Sequence, residues 1–257
     1  METAERVSIN EIADNYVFQR HLIAYQEAAK ILKGKVIELG SGSGYGAGIL
    51  MHDGITEYLA IDKFTTDFPA EMDKSRLTFQ QMNLPYLQGI PDNQFDYAVS
   101  FQVIEHIEDD VTFLKEIYRV LKPNGKLILT TPNKKMSLTR NPWHVREYTP
   151  IEMKKIVESV FDTTLVHGIY GNQTVMKYYE QNKLSVQRIV KWDILNLQYR
   201  LPRRLLQIPY DFLNRLNRNR ISNSNNDLTA GIKSTDFFIA PVKEDCLDYF
   251  AVCKKRG

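Results

Sequence analysis

Cysteine is nearly absent. The 257-residue chain holds two, Cys246 and Cys253, on one stretch that reads as a strand. Two cysteines seven apart on one strand do not pair with each other. They read as reduced thiols of a cytosolic protein, with neither a disulfide framework nor a cysteine metal site. Long apolar runs are missing too, and nothing approaches the roughly 18 residues needed to span a bilayer. The opening METAERVSINEIADNY lacks a basic region followed by an apolar core, so no signal peptide is expected. Neither sign of charge dominates. Lys and Arg number 33 against 31 Asp and Glu, and a net +2 is too small to imply a nucleic-acid partner by itself. There is no internal repeat. What remains is 43% hydrophobic and 25% charged, as in a globular protein of one large domain or one domain with an added part.

Strands and helices alternate along the chain. Residues 19–33, QRHLIAYQEAAKILK, carry apolar side chains at three- and four-residue spacing and read as an amphipathic helix stopped by Gly34. KVIEL is a short buried strand, and GYGAGILMH opens a helix after it. Further strands are read at 57–62 (EYLAID), 76–81 (RLTFQQ), 95–101 (FDYAVSF), 126–132 (KLILTTP), 162–171 (DTTLVHGIYG) and 246–255 (CLDYFAVCKK). The helix DDVTFLKEIYRVLK follows the strand at 95–101, and the turn PNG follows that helix. TPIEMKKIVESV has helix-start signals: Thr149 as N-cap, Pro150 next, Glu152 three after the cap. This alternation implies βαβ units and a parallel sheet covered on both faces. The expected fold class is α/β, a Rossmann-like doubly wound sheet. Residues 1–171 and 242–257 are assigned to one domain. Residues 172–241 are assigned to a helical and loop insertion of two or three helices, with SNSNND (222–227) as a polar, turn-rich loop.

Gly40, Gly42, Gly44 and Gly46 alternate in VIELGSGSGYG. Ordering such a run is costly, because glycine loses the most backbone entropy on folding. It lets the backbone pass close to a ligand beneath a helix. Alone, the pattern also fits the looser nicotinamide or flavin fingerprint, Gly42-x-Gly44-x-x-Ala47. Asp62, at the end of the next strand, stands where an acid binds the ribose hydroxyls of any adenosine cofactor. Glu38 separates the candidates. A pyrophosphate would be repelled by a carboxylate two residues before the first glycine. S-adenosylmethionine, with an ammonium and a sulfonium, would be attracted, and a buried strand end is otherwise an unfavourable place for a charge.

In order and spacing, VIELGSGSGYG, AID, NLP, FDYAVSFQVIEHIED, LKEIYRVLKPNGKLILTTPN and REYTPIEM resemble the class I S-adenosylmethionine-dependent methyltransferases. The resemblance covers residues 30–170, and the strand at 246–255 closes the same sheet. It implies seven strands in the order 3-2-1-4-5-7-6, the last antiparallel, with the helical insertion between the last two. It implies S-adenosylmethionine as cofactor and S-adenosylhomocysteine as product. It also implies residue roles. Glu38 holds the methionine end, and Gly40, Ser41, Gly42 and Gly44 wrap the cofactor. Asp62 binds the ribose with Lys63 beside the adenine, Asn83 and Leu84 flank the adenine ring, and Phe101 and Gln102 border the methionine moiety. The family often has an aspartate where Asn83 stands; the amide carbonyl can still accept from the adenine amino group.

Methyl transfer is an in-line displacement on a methyl that the cofactor has already activated. The protein mainly holds nucleophile and methyl in line, which is worth ~7–11 kcal/mol. A base is needed when the acceptor is a hydroxyl or phenol. Two histidines stand at crevice-facing strand ends and are the candidate catalytic bases: His106 in QVIEHIED and His144 in NPWHVREYTP. Arg146 in the second loop is read as a clamp for an anionic group or a partner of Glu147. QVIEH is similar to the E-x-x-E-H metal motif of ubiquinone-pathway O-methyltransferases and small-RNA 2′-O-methyltransferases, in which Glu105, His106 and His144 would be ligands. Gln102 replaces the first carboxylate, and no metal is expected.

Residues 198–220, QYRLPRRLLQIPYDFLNRLNRNR, hold six arginines against one aspartate, with Leu, Ile, Tyr and Phe interleaved. This is the pattern of a lid, or of a lid that also touches a membrane or a lipid-linked substrate. Pro202 and Pro209 are expected to break it into short pieces. The expected activity is O-methylation of a small-molecule, glycan, quinone or lipid-linked acceptor in the cytoplasm, with peripheral membrane contact through 198–220. Methylation of RNA 2′-hydroxyls is the alternative and would need a basic groove beside the cofactor.

Overall fold

The computed structural model describes residues 12–66, 68, 72–191, 193, 197–224 and 226–257. Most of the N-terminal stretch in which no signal peptide is expected lies outside them. Eight strands form one sheet: β1 (Gly34–Leu39), β2 (Ile55–Asp62), β3 (Leu77–Gln81), β4 (Phe95–Phe101), β5 (Leu121–Pro132), β6 (Thr163–Gly171), β7 (Phe237–Pro241) and β8 (Asp248–Lys254). Their order is β3-β2-β1-β4-β5-β8-β6-β7. The first five are parallel neighbours, and β8 runs antiparallel between β5 and β6. The doubly wound order expected from sequence is borne out, with one addition. The strand β7 pairs antiparallel with β6 at the edge, from Gly171 opposite Phe237 to His167 opposite Pro241. So 237–241, read as part of the insertion, extends the sheet. Its five residues end in proline, a signature suited to an edge strand.

The central strands β1, β4, β5 and β8 are largely buried, and neighbouring residues along them enter different cores. Val36, Tyr97 and Ile128 pack on one side with Ala24, Leu50 and Tyr178. Ile37, Ala98 and Leu127 pack on the other with Phe113, Ile117 and Met153. The first side is covered by α1 (Asn15–Ala29), α2 (Tyr45–Leu50) and α5 (Gln173–Val190), the second by α3 (Asp110–Val120) and α4 (Pro150–Glu158). The capping box predicted for α4 is present: Thr149 Oγ1 accepts from the Glu152 N–H at 3.3 Å, and Glu152 Oε2 accepts from the Thr149 N–H at 2.8 Å.

The insertion continues with α6 (Leu197–Arg200), α7 (Arg203–Ser224) and α8 (Asn226–Gly231). Two expectations are corrected here. Pro202 falls between α6 and α7 as expected, but Pro209 lies inside a 22-residue helix. Proline there removes the donor to the carbonyl of Leu205. Both residues are exposed, so water can take that carbonyl. The turn-rich loop at 222–227 is replaced by the end of α7 and the start of α8, around residue 225, which lies outside the described residues. Asn15 ties this region back to α1: its Nδ2 donates to the carbonyls of Thr229 at 2.8 Å and Ile232 at 2.9 Å. Among the described residues, no helix is long and apolar enough to cross a membrane.

Candidate active site

A cavity of about 400 Å³ opens at the C-terminal ends of the parallel strands. The turn after β1 contributes Gly40, Ser41 and Gly42, and the end of β2 contributes Asp62 and Lys63. Asn83 and Leu84 come from beyond β3, and Phe101 and Gln102 from the end of β4. Asp62 accepts from the Gly42 N–H at 2.8 Å and the Phe64 N–H at 2.9 Å, which holds the glycine turn onto β2. Gly42 has φ +56°, in the left-handed region, and a Cβ there would meet no protein atom within 4 Å. Gln102 is also left-handed, at φ 57°. A residue other than glycine adopts this conformation at a cost that its surroundings must offset. Gly44 and Glu38 do not line the cavity. Gly44 turns the chain into α2. Glu38 lies one layer behind, 1% exposed, and accepts from the hydroxyls of Tyr25 at 3.0 Å and Tyr58 at 2.7 Å. Burial pushes its carboxyl above the ordinary range, and the two hydroxyls oppose that rise.

A second, more polar cavity of about 240 Å³ adjoins the first, and His21, Gln102 and His106 line both. His106 and His144, 38 positions apart in sequence, meet here with ring centroids 5.0 Å apart. The loop carrying His144 is pinned just after that residue. The Val145 N–H donates to the Glu105 carbonyl at 2.7 Å, and Tyr148 donates to Asp110 at 2.8 Å. Arg146 is accordingly not a partner of Glu147. Its guanidinium pairs with Asp110 at 2.6 Å and donates to the Glu108 carbonyl. Glu147 instead takes His144 Nδ1 at 2.6 Å and the Ser137 hydroxyl.

The roles of the histidine ring nitrogens follow from these partners. Asn141 Oδ1 accepts from the Trp143 N–H at 3.0 Å, which aims its amide NH2 at His144 Nε2, 2.9 Å away. His144 Nε2 is therefore an acceptor, and Nδ1 carries the hydrogen donated to Glu147. His106 Nδ1 faces the Trp143 carbonyl at 3.1 Å, so that nitrogen is the donor. Among the described residues, Glu105, His106 and His144 form one group whose ligand atoms lie within 4.8 Å of one another. Glu105 is buried, accepts from the Thr131 hydroxyl at 2.9 Å, and has its carboxyl raised by burial. Sequence reasoning did not bring Asn141, Trp143 or Glu147 into the site.

It also missed Arg20, from α1, which lines the second cavity and pairs with the fully buried Asp248 at 3.0 Å. Burial lifts the Asp248 carboxyl from an ordinary 3.8 to about 6, against the pull of Arg20. The folded chain then takes up this proton before the unfolded chain does. Relative to an Asp248→Asn variant, the parent is expected to gain stability as pH falls from about 6 to 4, by up to about 3 kcal/mol. Urea titrations of both proteins across that window would check this; a constant difference would contradict it.

A family model described as a methyltransferase domain matches residues 37–129, from inside β1 to inside β5. A probable S-adenosylmethionine-dependent methyltransferase of Mycolicibacterium smegmatis is 34% identical over 176 residues, covering 65% of this chain and 68% of that one. The chain belongs to the S-adenosylmethionine-dependent methyltransferases. A Mycobacterium tuberculosis relative of the same description is 35% identical and aligned over 64% of its length, so the chain spans about two thirds of these relatives. The bovine mitochondrial ubiquinone biosynthesis O-methyltransferase is 30% identical over 121 residues, 44% of this chain and 32% of that one. Among solved structures, an S-adenosylmethionine-dependent methyltransferase from Thermotoga maritima shares the fold. Its TM-score is 0.56 at 14% identity, with 98% of each chain covered.

The first cavity of this methyltransferase suits S-adenosylmethionine on its own evidence. Ser41 Oγ is buried against it with no hydrogen-bond partner among the described residues. Tyr25, Tyr45 and Phe101 present aromatic rings to it, favourable surroundings for a sulfonium. The Asp62 carboxylate, with about four acceptor positions in all, suits ribose hydroxyls.

Proposed function

We propose that this methyltransferase transfers the methyl group to a hydroxyl oxygen of a small or lipid-linked acceptor held in the second cavity. His106 is the base, and His144 with Glu147 positions it. The reading is carried by His106, which lines both cavities with Nδ1 held by the Trp143 carbonyl. Its imidazole can receive the proton of a hydroxyl as it attacks. Bound S-adenosylmethionine supplies a methyl group already activated by its sulfonium. In this reading Asp62 orients the ribose, Asn83 and Leu84 with Lys63 border the adenine, and Phe101 and Gln102 border the methionine end. The Gly40–Gly44 turn wraps the cofactor, and Glu38 acts through Tyr25, whose ring lines the cavity.

Two observations favour this over its alternatives. A metal on Glu105, His106 and His144 would require His144 to give up Asn141 or Glu147. An RNA acceptor would call for cations facing its phosphates in the second cavity, yet the two arginines that line it, Arg20 and Arg218, pair with Asp248 and Asp14. The test is transfer of labelled methyl from S-adenosylmethionine to extracted metabolites. A base-stable methyl ether is expected; label on nitrogen or in a base-labile ester would overturn the reading.

A membrane-linked acceptor would also explain α7. Leu205, Ile208, Phe212 and Leu216 are 50–82% exposed and fall on one face, beside exposed Arg204 and Arg215. The parent is expected to float with vesicles of phosphatidylcholine and phosphatidylglycerol. Leu205→Ser with Ile208→Ser and Phe212→Ser should lower the bound fraction at least about tenfold. Equal flotation would remove the membrane contact.

A further inference from the structure

We infer that the acceptor is an anionic amphiphile whose single apolar chain lies in a third cavity, between the helical insertion and the loop after β5. This rests on the second cavity being the acceptor site. The third cavity measures about 650 Å³, larger than either of the others. Val186 and Val190 of α5, Leu197 of α6, and Leu206, Pro209 and Leu213 of α7 give it an aliphatic wall. It shares Thr139, Val186, Tyr210 and Asn214 with the acceptor cavity. That cavity in turn shares His21, Gln102 and His106 with the cofactor cavity. Three compartments therefore lie in a row: cofactor, acceptor and apolar chamber.

A water-soluble acceptor needs only the first two. The third has the size and lining of a ligand cavity rather than of a packing gap. It belongs to the same row, so one extended molecule can occupy the last two compartments, with its hydroxyl beside His106 and its chain beyond the Val186–Tyr210 junction. The charged groups at this chamber give the sign of the headgroup. Arg140 and Arg188 line it against one acid, Asp193, whose carboxylate already accepts the N–H groups of Leu197 at 2.7 Å and Gln198 at 3.1 Å. The surplus is positive and suits a phosphate or carboxylate near the start of the chain. On α7, Leu206 and Leu213 line the chamber, Leu213 while still 43% exposed, and Leu205, Ile208 and Phe212 stand exposed without lining it.

The test uses n-alkyl phosphates from hexyl to decyl, below their micelle concentrations, titrated into the whole protein with S-adenosylhomocysteine present. Affinity is expected to rise with each added methylene, by up to about fourfold when the methylene is fully buried. Leu206→Trp with Leu213→Trp fills the chamber and should weaken decyl phosphate at least tenfold, with S-adenosylhomocysteine affinity unchanged within twofold as proof of folding. Val186→Phe, at the junction, should flatten the chain-length series in the same direction. No dependence on chain length, or the same dependence in both filled variants, would overturn the inference. These readouts need no turnover, so they fail separately from the proposal for His106.

Discussion

His106→Ala is expected to lower kcat by about 100- to 10,000-fold, the range supplied by a positioned general base. S-adenosylhomocysteine affinity should stay within about twofold, because Asp62, Ser41 and the glycine turn are untouched. His144→Ala makes a discriminating companion. Both of its nitrogens are already engaged, Nδ1 by Glu147 and Nε2 by Asn141. Its loss should therefore cost less than about tenfold, through poorer placement of the neighbouring ring 5.0 Å away. Steady-state kinetics on one hydroxyl acceptor would decide. Unchanged turnover in His106→Ala would remove the base, and a larger loss in His144→Ala would exchange the two roles.

Asp62→Ala should weaken cofactor binding by about 10- to 150-fold, the equivalent of losing charge-assisted hydrogen bonds worth about 1.5–3 kcal/mol. The same substitution also releases the N–H groups of Gly42 and Phe64, so the turn that shapes the cavity loses its anchor on β2. Calorimetric titration with S-adenosylhomocysteine reads the affinity directly. The rise in melting temperature caused by saturating ligand should shrink in step. An affinity within twofold of the parent would dissociate Asp62 from the ribose.

The sheet was legible because its signals are local and repeated: apolar runs, strand-end acids and turn residues at βαβ spacing. The approach of His106 to His144 was legible too, since both follow neighbouring parallel strands at the same edge. Less could be read where a partner comes from far along the chain. Nothing near Arg20 announces Asp248, and nothing near Arg146 announces Asp110; each pair is chosen by tertiary packing. Glu147, the nearer carboxylate, is taken by His144 because the loop is pinned at Val145 and Tyr148. The strand β7 was hidden by its shortness and its proline. The helix through Pro209 was hidden because a proline rule treats the lost hydrogen bond as decisive, whereas exposure of Leu205 and Pro209 lets solvent replace it. The apolar chamber belongs to no single segment and exists only once α5, α6 and α7 meet.

The place of β8 has a consequence for how the protein is made. It is the last of the eight strands to leave the ribosome, yet it belongs in the interior of the sheet, between β5 and β6. Until residues 248–254 emerge, β5 and β6 each present an unpaired edge, while α5 to α8 are already synthesised. Open edges of that kind are templates for pairing between nascent chains. Ribosome-stalled fragments stopping before 248 should therefore be the stretch of synthesis most dependent on chaperones.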